Sequence, residues 1–186
     1  MRVITGKARG VRLKTPEGMN TRPTTDRVKE ALFSIIHFDI PGADVLDLFA
    51  GTGQLGIEAL SRGASSAVFV DASNDACNLV KENLKRTKLQ SSAKVIRAEY
   101  MQYLRNCQQK FGIIFLDPPY TEEFLEKSLN FISEIDILQS GGIIVTERPL
   151  GKSLLGDFKG YSRSKDYKYG KIVLTIFRKD EEINTN

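Results

Sequence analysis

The chain has 186 residues, of which 41% are hydrophobic, so it can bury one full core and is expected to fold around a single domain. It contains no apolar run of about eighteen residues, and its first residues lack the apolar core of a secretory signal, so we expect a cytoplasmic protein without membrane attachment. Two separated cysteines, Cys77 and Cys107, and one histidine suggest neither a disulfide framework nor a metal site.

Positive charge is concentrated at the start of the chain. Residues 1–29 carry eight basic and two acidic side chains, whereas the net charge of the whole chain is only +4. A basic, glycine-containing arm on a near-neutral domain suits contact with a phosphate backbone, although a solvated terminal segment would have the same composition. After this arm, Thr25 or Asp26 is predicted to cap a helix whose apolar face includes Val28, Leu32 and Ile36.

Apolar runs then alternate with segments of helical periodicity. We predict strands at 44–50, 67–71, 94–97, 113–117 and 142–147, and helices at 55–61, 76–87, 99–107 and 122–135. Two β-rich runs, 161–167 and 171–178, are predicted to form an antiparallel hairpin through 168–170. This order predicts an α/β fold: a Rossmann-like, doubly wound, mostly parallel sheet of seven strands over residues 41–178, with a flexible tail at 179–186.

A glycine loop follows the first predicted strand. Gly51, Gly53 and Gly56 satisfy G-x-G-x-x-G between a strand and a helix, and Asp71 ends the next strand. This combination predicts a nucleoside-bearing cofactor whose ribose hydroxyls donate to Asp71. Asp47, inside the first strand, would repel a pyrophosphate but attract an ammonium group, which favours S-adenosylmethionine over a dinucleotide.

The tetrapeptide Asp117-Pro118-Pro119-Tyr120 ends the fourth predicted strand. Asp117 and the carbonyl of Pro118 can accept hydrogen bonds from an exocyclic amine, and Tyr120 offers a stacking face for a base. A proline-stiffened turn is the alternative interpretation. In a doubly wound sheet the fourth strand lies beside the first, so this turn and the glycine loop are expected to share one crevice.

Together these motifs resemble a known family. Asp-Leu-Phe-Ala-Gly-Thr-Gly at 47–53 and Asp-Pro-Pro-Tyr at 117–120 are similar to class I S-adenosylmethionine-dependent amino-methyltransferases. The blocks at 1–7, 9–10 and 21–33 closely resemble the RsmD type of 16S rRNA guanine-N2 methyltransferase, and the motif order fits from end to end.

The resemblance implies a set of site residues. Asp117, Pro118 and Tyr120 would be catalytic, and Pro119 would contact the substrate. Residues 1–40 would form an arm and helix that contact RNA and close over the cofactor, with Arg22, Thr24 and Arg27 in that role. The implied cofactor contacts are Asp47, Phe49, Gly51, Gly53, Asp71 and Glu99. The implied partner is 16S rRNA in the small ribosomal subunit, with bound ribosomal proteins as further candidates, and the implied state is a monomer.

Four other functions remain open at this stage. The same tetrapeptide would serve methylation of adenine N6 in DNA or RNA, or of a protein glutamine amide. A DNA enzyme would generally carry a target-reading region, for which this chain leaves little length. A nicotinamide-dependent oxidoreductase would explain the glycine loop but not the Asp-Pro-Pro-Tyr turn, and a non-catalytic RNA-binding module would explain only the basic arm.

Overall fold

The structure is a computed structural model that describes residues 1–16, 23–119, 123–152, 154 and 158–180, with only the backbone described for residues 23–25. The strands are β1 (Asp44–Asp47), β2 (Ser66–Asp71), β3 (Ala93–Arg97), β4 (Phe111–Leu116), β5 (Leu138–Pro149), β6 (Tyr161–Arg163), β7 (Tyr167–Tyr169) and β8 (Ile172–Lys179). The helices are α1 (Pro23–Ile35), α2 (Gln54–Ser61), α3 (Asn74–Thr87), α4 (Tyr100–Arg105) and α5 (Glu123–Ile135).

One sheet contains all of these strands, in the order β3-β2-β1-β4-β5-β8-β6, with β7 also paired to β8. Strands β1 to β5 are parallel, and β8 runs antiparallel to β5. The chain order reverses at β1, which pairs with both β2 and β4. This architecture confirms the predicted Rossmann-like class and opens a crevice above the carboxyl ends of β1 and β4, where doubly wound sheets bind ligands.

Apolar side chains fill both faces of the sheet. On one face, β-strand residues such as Phe69 and Phe115 pack with α1, α2 and α3 through Phe33, Ile57 and Val80. The opposite face packs against α4 and α5. Central strands buried on both faces explain why their sequences are almost continuously apolar.

The carboxyl-terminal strands differ from the prediction. The run 161–167 is two short strands, β6 and β7, because the chain leaves the ladder at 164–166. There Asp166 accepts hydrogen bonds from Thr175 Oγ1, at 2.7 Å, and from Arg163. The hairpin turn is Gly170–Lys171 rather than 168–170, and Gly170 has a φ of 59°. The described residues therefore form eight strands instead of the predicted seven.

The start of α1 also differs from the prediction. The helix begins at Pro23, so Thr25 and Asp26 lie inside its first turn and neither caps it. Proline suits the first helical position because the amide hydrogen that it lacks would have no partner within the helix.

The amino-terminal arm is tied to α2 through Glu58, which is fully buried. Its carboxylate accepts hydrogen bonds from the backbone amides of Ile4, at 2.8 Å, and Thr5, at 3.0 Å, and from Arg62 Nε, at 2.8 Å. The ammonium of Lys29, on α1, lies 3.6 Å from the same carboxylate. Glu58 thus holds the arm, α1 and α2 together directly behind the glycine loop.

Gly6 allows the backbone of the arm to pack directly against the end of α2. Its φ is 88°, and an added Cβ would lie 1.8 Å from the carbonyl oxygen of Ser61, at the end of α2. The neighbouring amides of Lys7 and Ala8 donate to the carbonyl and hydroxyl oxygens of Ser61, at 2.8 and 3.0 Å. The arm is therefore a hydrogen-bonded part of the domain over its first residues.

Candidate active site

A cavity of about 1130 Å³ lies at the carboxyl ends of β1, β2, β4 and β5. Met1 and the turn that precedes β8 contribute to its lining. The sequence-predicted residues that line it are Asp47, Phe49, Gly51, Asp71, Glu99, Asp117, Pro118 and Pro119. The structure thus brings both predicted motifs to one crevice.

The glycine loop adopts a conformation that requires glycine. Gly51 and Gly53 have φ values of 53° and 77°, in the left-handed region that other residues rarely enter. The amide of Gly51 donates to Asp71 Oδ2 at 2.9 Å, and Asp71 Oδ1 accepts from the amide of Ser73 at 2.8 Å. Asp71 therefore stabilises the loop while its carboxylate faces the cavity. Gly53 begins α2 and does not itself line the cavity.

Asp47 is buried beneath this loop, with 2% of its surface exposed. Its Oδ2 accepts a hydrogen bond from the amide of Gly56, in the first turn of α2, at 3.1 Å. Burial raises the pKa of Asp47 to about 8, assisted by the nearby charges of Asp117 and Asp71 and opposed by the Gly56 hydrogen bond. A cationic ligand group beside Asp47 would favour its ionised form.

Glu99 caps the amino terminus of α4. Its Oε2 accepts from the amides of Met101 and Gln102, at 2.9 and 3.1 Å. The next residue, Tyr100, packs with Phe49 and Phe124, with ring centroids 5.2 and 5.3 Å away. All four residues line the cavity, so an anchored carboxylate and an aromatic wall stand together opposite the glycine loop.

Asp117 and Pro118 leave the end of β4 beside β1. Asp117 is partly buried, and burial raises its pKa to about 6. No described residue donates a hydrogen bond to its carboxylate. Pro118 is buried and Pro119 is exposed. Tyr120, predicted to stack on a base, lies outside the described residues, so that role stays a prediction.

Of the three residues predicted to contact substrate or cofactor from the arm, only Arg27 has a described side chain. Arg27 is exposed on α1 and is absent from the lining. Arg22 lies outside the described residues, and only the backbone of Thr24 is described. Their proposed contacts with RNA stay predictions.

Several lining residues were missed by the sequence analysis. Met1, Tyr100 and Phe124 are among them, as are Pro149 and the segment 170–172. Glu147 also lines the cavity, from β5, and burial followed by the charge of Asp117 raises its pKa to about 8. Glu147 ends the predicted strand 142–147, as Asp71 and Asp117 end theirs, and this was the sequence signal that pointed to it.

The strand order and the residues that line this crevice define the chain as a member of the class I, S-adenosylmethionine-dependent methyltransferases. More narrowly, it belongs to the family described as conserved hypothetical protein 95, whose model matches residues 1–178. No helix among the described residues has the length and apolar character needed to cross a membrane.

Named relatives agree with this placement. The chain is 41% identical over 182 residues to YlbH of Bacillus subtilis, provisionally named as an rRNA methyltransferase, and covers 99% of it. It is 30% identical to the ribosomal RNA small subunit methyltransferase D of Escherichia coli, across 98% of this chain and 91% of that protein.

Two solved structures are also similar. The Escherichia coli protein yhhF, provisionally described as a methyltransferase, superposes with a TM-score of 0.87 at 31% identity, across 97% of this chain and 98% of that one. The Haemophilus influenzae protein HI0767, provisionally described as a methylase, superposes with a TM-score of 0.81, also at 31% identity, across 97% and 98% of the two chains.

Proposed function

We propose that this protein transfers a methyl group from S-adenosylmethionine to the exocyclic N2 amine of a guanine in 16S rRNA. The observation that carries the proposal is the common cavity of the glycine loop and the Asp117-Pro118-Pro119 turn, on adjacent parallel strands. The small-subunit rRNA methyltransferase D relative, which matches nearly the whole chain, supports this substrate.

The residues of the cavity fit S-adenosylmethionine. The buried carboxyl of Asp47 suits a ligand ammonium, Asp71 keeps acceptor capacity for ribose hydroxyls, and the wall of Phe49 and Tyr100 suits a flat adenine. Glu99, whose Oε1 has no hydrogen-bond donor among the described residues, would accept from the adenine amine. When bound, the cofactor supplies an electrophilic methyl group on a sulfonium.

The task of the protein is then to prepare the amine. The lone pair of guanine N2 is delocalised into the ring, so the amine is a weak nucleophile until it is oriented. Asp117 and the Pro118 carbonyl would accept its two hydrogens and turn the lone pair toward the methyl group. Charge that develops on N2 would be stabilised by the ionised Asp117 carboxylate, and the methylated amine would then release one proton to water.

The amino-terminal arm would bring RNA to this cavity. Met1 lines the cavity, so the arm reaches its edge. Lys7, Arg9 and Arg12 are exposed on the arm and form no ion pair with a described residue. We propose that these side chains bind rRNA phosphates on a small-subunit particle in the cytoplasm, and that the enzyme acts there as a monomer.

Transfer of labelled methyl groups tests this function directly. Small-subunit particles, naked 16S rRNA and DNA would each be incubated with the protein and labelled S-adenosylmethionine. We expect label in the rRNA of the particles, at a guanine N2 that mass spectrometry can map in cells with and without this chain. Label in adenine N6, in DNA or in a protein glutamine would contradict the proposal.

A further inference from the structure

Four acidic residues stand along the same edge of the sheet and line the cavity. Asp71 and Asp47, on β2 and β1, accept hydrogen bonds from backbone amides of the glycine loop and the helices that follow. Asp117, directly after β4, and Glu147, on β5, accept none from any described residue. The carboxyl groups of the second pair line the cavity and can therefore accept hydrogen bonds from a ligand bound there.

Strand pairing places the two unpartnered acids side by side. Strands β4 and β5 are parallel and in register up to Leu116 and Thr146, and Asp117 and Glu147 are the next residues on each. Neighbouring strands lie about 4.8 Å apart, so the two carboxyl groups leave the sheet as an adjacent pair. Both line the cavity, and the charge of Asp117 acts on Glu147.

Guanine matches this arrangement in number and kind of polar groups. Its edge around N2 presents three adjacent hydrogens, two on N2 and one on N1, and the cavity offers three acceptors in Asp117, the Pro118 carbonyl and Glu147. Adenine presents two amine hydrogens next to N1, which is itself an acceptor. With adenine, one carboxylate would face a lone pair instead of a hydrogen.

We propose that Glu147 accepts the N1 hydrogen of the target guanine and is the residue that discriminates guanine from bases whose N1 is an acceptor. This inference rests on the proposed function and assigns a contact within it. Glu147 acts on the side of the base that is not methylated, so its contribution is to binding and selectivity.

The ionisation of Glu147 makes this contact dependent on pH. Because burial and Asp117 raise the pKa of Glu147 to about 8, its carboxyl is mostly protonated at neutral pH before the base arrives. A donor on the carboxylate favours ionisation, so guanine should bind more tightly as the pH rises toward about 8. Among the described residues, the ionisable groups that line the same cavity include Asp117, directly after β4, Asp47 from β1 and Lys171 from the turn before β8.

The test compares two bases on two proteins. Small-subunit particles would carry guanine or 2-aminopurine at the mapped position; 2-aminopurine retains the N2 amine but has an acceptor at N1. Dissociation constants would be measured with S-adenosylhomocysteine bound, so that no transfer occurs, for the wild type and Glu147→Gln. Glu134→Gln, which removes an exposed carboxylate on α5, is the control matched in charge.

We expect the wild type and Glu134→Gln to prefer guanine by about tenfold or more. Glu147→Gln should largely lose that preference, because an amide can either accept from N1 or donate to it. It should also lose the gain in guanine affinity between about pH 7 and 8.5. Since both bases are compared on the same protein, a general loss of affinity or stability in the variant cancels in the ratio.

Two outcomes have separate meanings. An unchanged preference in Glu147→Gln, with the wild type still methylating guanine N2, would overturn this role of Glu147 and leave the proposed function intact. Failure of the wild type to methylate any guanine in rRNA would overturn the proposed function itself.

Discussion

At the scale of single residues, the ionisation of Asp117 decides when the proposed chemistry can occur. Burial raises its pKa to about 6, above the ordinary value of an aspartate. Since the ionised form is the one that accepts both the amine hydrogen and the developing charge, activity should be low below about pH 5 and should rise through about pH 6. A rate profile measured with saturating particles would show this rise.

Asp117→Ala tests the same residue by removing the acceptor. We expect the rate of methyl transfer to fall by about 100-fold or more, because the variant loses charge stabilisation in the transition state. Affinity for S-adenosylmethionine, measured by isothermal titration calorimetry, should change little. An equal collapse of cofactor binding would identify Asp117 as a cofactor residue and contradict its proposed role.

Asp47 illustrates a conflict between function and stability at a single position. The pKa of Asp47 is about 8 in the folded state and about 4 in the unfolded state. Between these two values the unfolded state loses its proton more readily, so the folded state becomes less stable as the pH rises from about 4 to about 8. At pH 8, the free energy of unfolding of Asp47→Asn, measured by urea denaturation, should therefore exceed that of the wild type by on the order of 2 kcal/mol. Near pH 4 the two free energies should be similar. The same variant should bind S-adenosylmethionine more weakly.

At the scale of elements, the contact between the arm and α2 depends on one buried carboxylate. Glu58→Gln would remove the charge that compensates Lys29 and Arg62. We expect a loss of about 3 kcal/mol in the free energy of unfolding, since breaking a buried ion pair leaves an uncompensated charge. Hydrogen exchange at the amides of Ile4 and Thr5 should accelerate.

The exposed acid Glu82 provides the comparison for this experiment. It pairs with Lys14 and Arg86 at the surface. Glu82→Gln should leave the free energy of unfolding nearly unchanged, because solvent screens exposed pairs. Similar losses in both variants would show that the buried network contributes no more than a surface pair.

At the scale of the whole molecule, charge at one end of the chain is expected to control the encounter with RNA. The double variant Arg9→Gln/Arg12→Gln should weaken binding to small-subunit particles and reduce the dependence of log affinity on log salt by between about 1 and 2 units, because fewer counterions are released. Cofactor affinity should stay unchanged. Lys85→Gln/Lys94→Gln, which removes the same charge from exposed positions on α3 and β3, should have a smaller effect.

The sequence by itself determined the features that depend on residues close together in the chain, namely the strands, the helices and the glycine loop. Alternating apolar runs and helical periods predicted the parallel core, and the motif at Gly51 and Gly53 with Asp71 predicted a glycine loop between a strand and a helix, with an acid at the end of the next strand. These predictions were confirmed because each depends on neighbouring residues, or on the general rule that parallel strands end at one edge.

Tertiary structure decided which acids have partners and which do not. Asp47 and Asp71 resemble Asp117 and Glu147 in sequence, yet among the described residues only the first two receive backbone amides, from segments that the fold brings to them. The pairing of β4 with β5 set Glu147 beside Asp117, and β8 carried the turn at Lys171 to the cavity from the far end of the chain. Hydrogen-bond satisfaction and desolvation depend on such distant contacts, so the pattern of residue types could not reveal them.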